Sequence, residues 1–264
     1  MVRLLKSLQR WAGLAPAGAS WPDATHWAEE SGYSFRRERD DRGFVVEGPL
    51  AGRTWRLEWG PSQRDYLQGH ELRLRCDLGL PQDLQMMLMS LSLMDSLERE
   101  AFGRFTEGAQ TETDLDVPEE MRWLALFRKA DMSRFRQLRQ WVGGVAAMTG
   151  TVEAWLEDAA LAQQIERAVD PGSTGVARLD PLVMMTLRGR IYLRTLCEDP
   201  TPETLQQAQR LFVCAAARAQ LVSRGLADAA PQDLERTVRL DGPAGSDADP
   251  PSTAWQTRLG PSDD

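Results

Sequence analysis

From His70 to Leu78, apolar and charged residues alternate without a break. His70, Leu72, Leu74, Cys76 and Leu78 fall on one side of an extended chain, and Glu71, Arg73, Arg75 and Asp77 on the other. A helix would scatter both sets around its circumference, whereas a strand, with its period of two, sorts them. Such a strand needs apolar cover on one face and water on the other, which is the condition met in a half-buried antiparallel sheet. The stretch 53–59 repeats the pattern, with Trp55, Leu57 and Trp59 set against Arg56 and Glu58. Strands at 33–39 and 43–48 precede it, joined by Asp40-Asp41-Arg42-Gly43 and by Gly48-Pro49-Leu50-Ala51-Gly52, both turn-forming sequences.

Helical signals flank this sheet. Trp21 to Glu30 reads as a short helix with Pro22 and Asp23 in its first turn and Gly32 as its stop. The Leu- and Met-rich run 83–106 reads either as one long amphipathic helix or as a strand at 84–89 followed by a helix at 91–106; the second is preferred, because a strand covered on both faces takes so dense an apolar run. Beyond it the pattern gives a strand at 121–128, helices at 131–142 and 151–169, strands at 182–187 and 190–196 paired through Arg188-Gly189, and a helix from Pro202 to about Ser223. Gly143-Gly144 reads as a helix end and turn. Leu-Gln-Met-Met-Leu at 84–88 is echoed by Leu-Val-Met-Met-Thr at 182–186.

The expected fold class is therefore α+β, an antiparallel sheet with flanking helices, laid out as two α+β halves. The organisation reads as an amphipathic helix within 1–18, a first half at 19–106, a connection at 107–120, a helix-rich second half at 121–228, and a tail at 229–264. The connection carries Glu107, Glu112, Asp114, Asp116, Glu119 and Glu120 with no basic residue, so it reads as solvated. The tail is rich in Asp, Gly, Pro and Ser. That composition cannot offset the entropy of ordering, and it reads as a disordered acidic tail.

A net charge of −8 argues against a general nucleic-acid binder, which needs a positive surface for phosphates. All 31 basic residues except Lys6 and Lys129 are arginine, which fits a GC-rich coding bias, so arginine abundance alone is no functional signal. Three widely spaced cysteines, Cys76, Cys197 and Cys214, make no disulfide framework, and no run of apolar residues is long enough to span a membrane. Lys6 and Arg10 interrupt any secretion-signal core. A reducing, cytoplasmic compartment is the expectation.

Reactive chemistry is hard to assemble from these residues. His26 and His70 are the only histidines, and neither has metal-ligand spacing. His70 and Cys76 share a strand face, yet six residues of strand put them about 20 Å apart, too far for a dyad. Cys76 among leucines reads as a buried, inert thiol. No phosphate loop, nucleophile elbow or metal motif occurs, so no catalytic, cofactor or metal residue is assigned. An enzyme using carboxylates alone stays open, because 39 acidic residues offer many pairs.

Two segments and one residue group carry binding potential. Residues 2–14 set Leu4, Leu5, Leu8 and Trp11 opposite Arg3, Lys6 and Arg10, the pattern either of a helix resting on anionic lipid or a partner, or of one docked on its own sheet. The segment 128–139 holds Arg128, Lys129, Arg134, Arg136 and Arg139 against Asp131 alone. It is either an anion or partner patch, or a helix facing the acidic connection. Met86, Met87, Met89, Met94, Met184 and Met185 are either an adaptable peptide-binding surface or core filling.

Gly-Pro-Ser-Gln-Arg-Asp-Tyr-Leu at 60–67, Glu-Leu-Arg-Leu-Arg at 71–75 and Pro-Glu-Glu-Met-Arg-Trp-Leu at 118–124 resemble an uncharacterised family of hypothetical bacterial proteins. That resemblance implies no activity and supplies no catalytic residues. The order of elements over 21–106 is also similar to the type III secretion chaperone-like layout, which implies a protein-binding role. The resulting expectation is a non-enzymatic module that binds another protein, as an adaptor or chaperone does, with peripheral membrane attachment or an unrecognised enzyme as alternatives. No nucleic-acid partner is expected.

Overall fold

The computed structural model describes residues 21–38, 42–107 and 117–240. Helix α1 (Trp21–Glu30) leads into strands β1 (Ser34–Arg37), β2 (Phe44–Leu50), β3 (Arg53–Pro61) and β4 (His70–Asp77). Strand β5 (Met86–Ser90) runs directly into helix α2 (Leu91–Glu107), followed by α3 (Glu119–Leu126), β6 (Arg128–Lys129) and β7 (Val142–Ala146). Helices α4 (Thr151–Leu156) and α5 (Ala159–Val169), the hairpin β8 (Leu182–Leu187) and β9 (Arg190–Leu196), and helix α6 (Pro202–Leu240) complete the order. A compact unit ends at Gly225, and a second begins at Leu226.

All nine strands join one sheet in the order β1-β2-β3-β4-β9-β8-β5-β7-β6, and every described pairing is antiparallel. The fold is α+β, as the alternating strands require. Segments 19–106 and 121–228 both contribute strands, so the sheet is continuous across them. Its seam is β4 against β9, where Leu74 lies opposite Leu193 and Cys76 opposite Ile191. The two echoed Met-Met segments lie side by side as β5 and β8, with Met87 opposite Met185.

One face of the sheet is largely apolar from β2 across to β5. Phe44, Trp55, Leu57, Trp59, Leu72, Leu74, Leu193, Met184 and Leu88 point into it and are buried. Trp21 of α1 meets Phe44 and Trp59 edge-on, at ring separations of 5.2 and 5.5 Å. Helix α4 lies on the same face, since a side chain added at Gly144 would meet Val152. The Trp155 indole donates to the Ala215 carbonyl at 2.9 Å, tying α4 to α6. All six methionines of the binding candidate are buried, so they fill core space.

Five expected features differ. Where a strand is expected at 121–128, residues 121–126 lie in helix α3 and Arg128 opens the short strand β6. Pro118 and the acids Glu119 and Glu120 are a helix start, and Met121 and Trp123 are both buried. Residues 131–141 are a run of turns in place of a helix. Met132, Phe135, Leu138 and Trp141 recur every three residues, and each later amide of that series donates to the carbonyl three before it, at 3.1, 3.0 and 2.8 Å. The helix expected at 151–169 breaks at Asp158, whose carboxylate caps α5 by accepting from the Leu161 amide at 2.7 Å. Gly143-Gly144 sits in the middle of β7, where a Cβ would come within 2.9 Å of Met94 Sδ at the first and 2.7 Å of Val152 at the second. Helix α6 continues through Leu240, past the expected start of the tail, and residues 241–264 lie outside the described ones.

Candidate functional site

The second face of the sheet is divided. Over β5, β7 and β8 it carries Met87, Met89, Val145, Val183 and Met185, which pack under Leu93, Met94 and Leu97 of α2 and Met121 and Trp123 of α3. Over β3, β4 and β9 the residues facing the same way are mostly charged, with Tyr192, Thr54, Gly60 and Leu196 among them. Alternation places them there: every residue one step from an apolar-face neighbour turns outward.

Registry then decides which charges meet. Arg56 lies opposite Arg75, and Glu58 opposite Arg73. Arg73 lies opposite Arg194, Arg75 opposite Tyr192, and Asp77 opposite Arg190. Two arginine pairs thus stand directly across from each other, an arrangement that on its own destabilises a sheet. Shared carboxylates hold them. Glu58 accepts from Arg56, from Arg73 Nε at 3.3 Å and from Arg75 Nη2 at 3.5 Å. Glu71, fully buried, accepts from Arg73 at 2.8 Å, from Arg194 at 3.0 and 3.2 Å, and from the Gln63 amide at 3.0 Å. Glu47 takes a second bond from Arg56 at 3.0 Å. Asp77 accepts from Arg190 at 3.4 Å and Arg53 at 3.5 Å.

Burial alone would raise the Glu58 pKa, but the hydrogen bond and charge of Arg56, with Arg73 and Arg75, outweigh it and hold the carboxyl below its ordinary range. The backbone amide of Gly79, with Arg190 and Arg53, does the same for Asp77 against a smaller opposing effect of burial.

A second buried carboxylate marks the border between the two regions. Glu120, on α3 and fully buried, accepts from Arg64 Nε at 3.2 Å and from the Tyr66 hydroxyl at 2.9 Å. Burial and the Glu120 charge push the Tyr66 pKa up, so the phenol stays protonated and donates. Tyr66 and Tyr192 also pack against the α2–α3 core. The charged region is therefore anchored to the helices and does not float on the sheet.

Two depressions open on it. One, of about 310 Å³, is lined by Glu47, Thr54, Arg56, Arg75, Asp77 and Arg190, with Cys76. The other, of about 70 Å³, lies two residues further along the same strands, among Glu58, Arg73, Tyr192 and Arg194.

The residues singled out in the sequence lie elsewhere. Arg3, Leu4, Leu5, Lys6, Leu8, Arg10 and Trp11 fall outside the described residues. Arg128 and Lys129 form the edge strand β6, and Arg134, Arg136 and Arg139 lie exposed in the turns that follow. Residues 131–141 form no helix, and residues 108–116 of the acidic connection lie outside the described residues. Lys129 pairs with Glu98 at 2.8 Å and Arg134 with Glu157 at 3.0 Å. His26 is exposed beside Glu30, at 3.1 Å. His70 stacks flat on Trp59 with ring centroids 4.8 Å apart, its Nδ1 4.0 Å from Glu198. Burial, opposed by Glu198, lowers the His70 pKa. Burial likewise raises the Cys76 thiol and pushes Cys197 up to about 12. His70 and Cys76 stay at opposite ends of β4.

Local patterning in the sequence does not single out the arginines and acids of β3, β4 and β9 as a site. The missing signal was the β4–β9 pairing, which brings Arg190, Tyr192 and Arg194 across and buries Glu71.

Among the described residues, no helix is long and apolar enough to cross a membrane. No protein-family model and no curated protein matches the chain. Among solved structures, the crystal structure of the mycobacterial trehalose monomycolate transport factor A, TtfA, is similar at 8% identity and a TM-score of 0.41, over 75% of this chain and 92% of that one.

Proposed function

We propose that this chain is a non-enzymatic protein-binding module, adaptor-like in role, whose docking surface is the charged half of the second sheet face. The observation that supports this reading is the uneven cover of that face. Helices α2 and α3 bury its apolar half, while β3, β4 and β9 present arginines and a tyrosine on a rigid sheet. Arginine and tyrosine are residue types enriched where proteins meet, and here shared carboxylates pre-position them, which reduces the entropy cost of association.

The test is site-specific cross-linking in native lysate. A photoreactive residue at exposed Thr54, inside the larger depression, is expected to give a discrete protein adduct, and one at exposed Gln137 is not. Equal labelling from both positions, or none from Thr54, counts against the proposal.

A further inference from the structure

We infer that the docking surface recognises an extended, carboxylate-bearing segment of a partner protein, with Arg75 as its anchor. The inference rests on the docking reading above and adds the chemistry of the partner.

In a chain of net charge −8, this region runs the other way. Arg53, Arg56, Arg73, Arg75, Arg190 and Arg194 share only Glu47, Glu58, Glu71 and Asp77. Arg53 and Arg190 share Asp77 at 3.5 and 3.4 Å, and Arg75 is as thinly paired as they are but also faces a second arginine. Glu58 already serves Arg56 and Arg73, so Arg75 keeps a single carboxylate contact, at 3.5 Å, with its side chain 48% exposed. Directly across from it stands Arg56. A guanidinium has five N–H donors in a fork that fits a carboxylate, and Arg75 uses little of that capacity. A like-charged neighbour with so weak a counterion breaks a local rule of sheet stability, and such violations mark sites built for something other than the fold.

The larger depression opens at this place, between Arg56, Arg75 and Arg190. Added to it, an incoming carboxylate would bridge Arg75 and its neighbours and supply the missing counterion. The smaller depression, with Arg73, Tyr192 and Arg194, follows two residues along the strands, about 7 Å away. That interval equals the spacing of alternate side chains in an extended peptide, so one segment spans both. A polyphosphate backbone fits less well, because Glu47 and Asp77 rim the larger depression and repel a continuous line of charge.

Fluorescence anisotropy with the full chain tests this, using a labelled peptide of alternating Glu and Ser, its Gln-Ser counterpart and a labelled oligothymidylate. The Glu-Ser peptide is expected to bind, the Gln-Ser peptide not. Arg75→Gln is expected to weaken binding about tenfold, close to 1.4 kcal/mol. Arg75→Lys should recover part of the loss by keeping the charge without the fork, and Arg136→Gln should change nothing. A thermal melt of Arg75→Gln matching the wild type shows that the fold is intact. Equal affinity for both peptides, unchanged binding by Arg75→Gln, or tighter binding of the oligothymidylate overturns the inference. A protein adduct at Thr54 that survives Arg75→Gln removes the acidic-segment chemistry and leaves the docking reading. Peptide binding without any Thr54 adduct does the reverse.

Discussion

The two halves of the second sheet face solve one problem in opposite ways. Over β5, β7 and β8 the outward residues are methionine and valine, and two helices close over them. Over β3, β4 and β9 the outward residues are arginines and carboxylates, and no helix covers them among the described residues. The first half derives its stability from removing apolar surface from water. In the second half the charges are ordered by one another, and the fold gains little from the exposed ones. The exposed charges, which contribute little stability, are free to change with function, whereas the covered half and the buried Glu71 with its arginines are not.

The largest effect should come from placing the chemistry of one half in the other. Met87→Glu puts an unpaired carboxylate beneath α2 and α3 and is expected to remove most of the folding free energy, on the order of 5 kcal/mol, read by urea unfolding. A loss under about 1 kcal/mol would mean that the helices do not seal that half.

Next comes Glu71→Gln. It leaves Arg194, only 13% exposed, without its carboxylate and Arg73, 11% exposed, with Glu58 alone, and should cost roughly 3 kcal/mol. Adding Arg194→Met is expected to restore part of that. If the double variant is no better than the single one, the shared-carboxylate account fails.

An acid titration sharpens the contrast further. The folded-state pKa of Glu58 lies below its unfolded value, so its stabilisation is complete above roughly pH 4.3 and disappears as pH falls through the folded value. Stability measured from neutrality downward should therefore drop less steeply in that window for Glu58→Gln than for the wild type. Superimposable profiles would show that the arginines do not act on this group.

His70 gives a smaller effect at higher pH. Its lowered pKa means that the unfolded chain takes up the proton first, so stability should decline as pH falls below about 6.5 and level off beneath the folded pKa. His70→Phe, which preserves stacking on Trp59, should flatten that decline. The smallest change is expected for Arg75→Gln, within about 0.5 kcal/mol in unfolding experiments despite its place in the docking surface.

How much of this was legible in the sequence follows from the range of the interactions. The alternation at 53–59 and 70–78 reveals strands β3 and β4 and both of their faces, because a period of two is a local property. The hairpin at 182–196 is equally plain, with its turn at Arg188-Gly189. Residues 121–128 misled because Met121, Trp123, Ala125 and Phe127 mimic alternation, while Pro118 and its two acids mark a helix start. Residues 131–142 misled because a three-residue apolar spacing lies close to the helical one. The candidate surface was invisible for a different reason. Its defining contacts, Arg194 with Glu71 and Arg64 with Glu120, join residues 123 and 56 positions apart, and no local pattern carries them.

The seam between β4 and β9 has a consequence for how the chain is made. Asp77 and its neighbour Arg190 are separated by 113 residues. On the ribosome, the meander from β1 to β4 emerges long before the strand that completes it. During that interval β4 presents an unpaired edge with Leu72 and Leu74 beside it, the kind of edge to which other nascent chains add. The charges of Glu71, Arg73, Arg75 and Asp77 along that same strand then act as a guard during synthesis, keeping the unfinished sheet from recruiting a neighbour until its own last hairpin arrives.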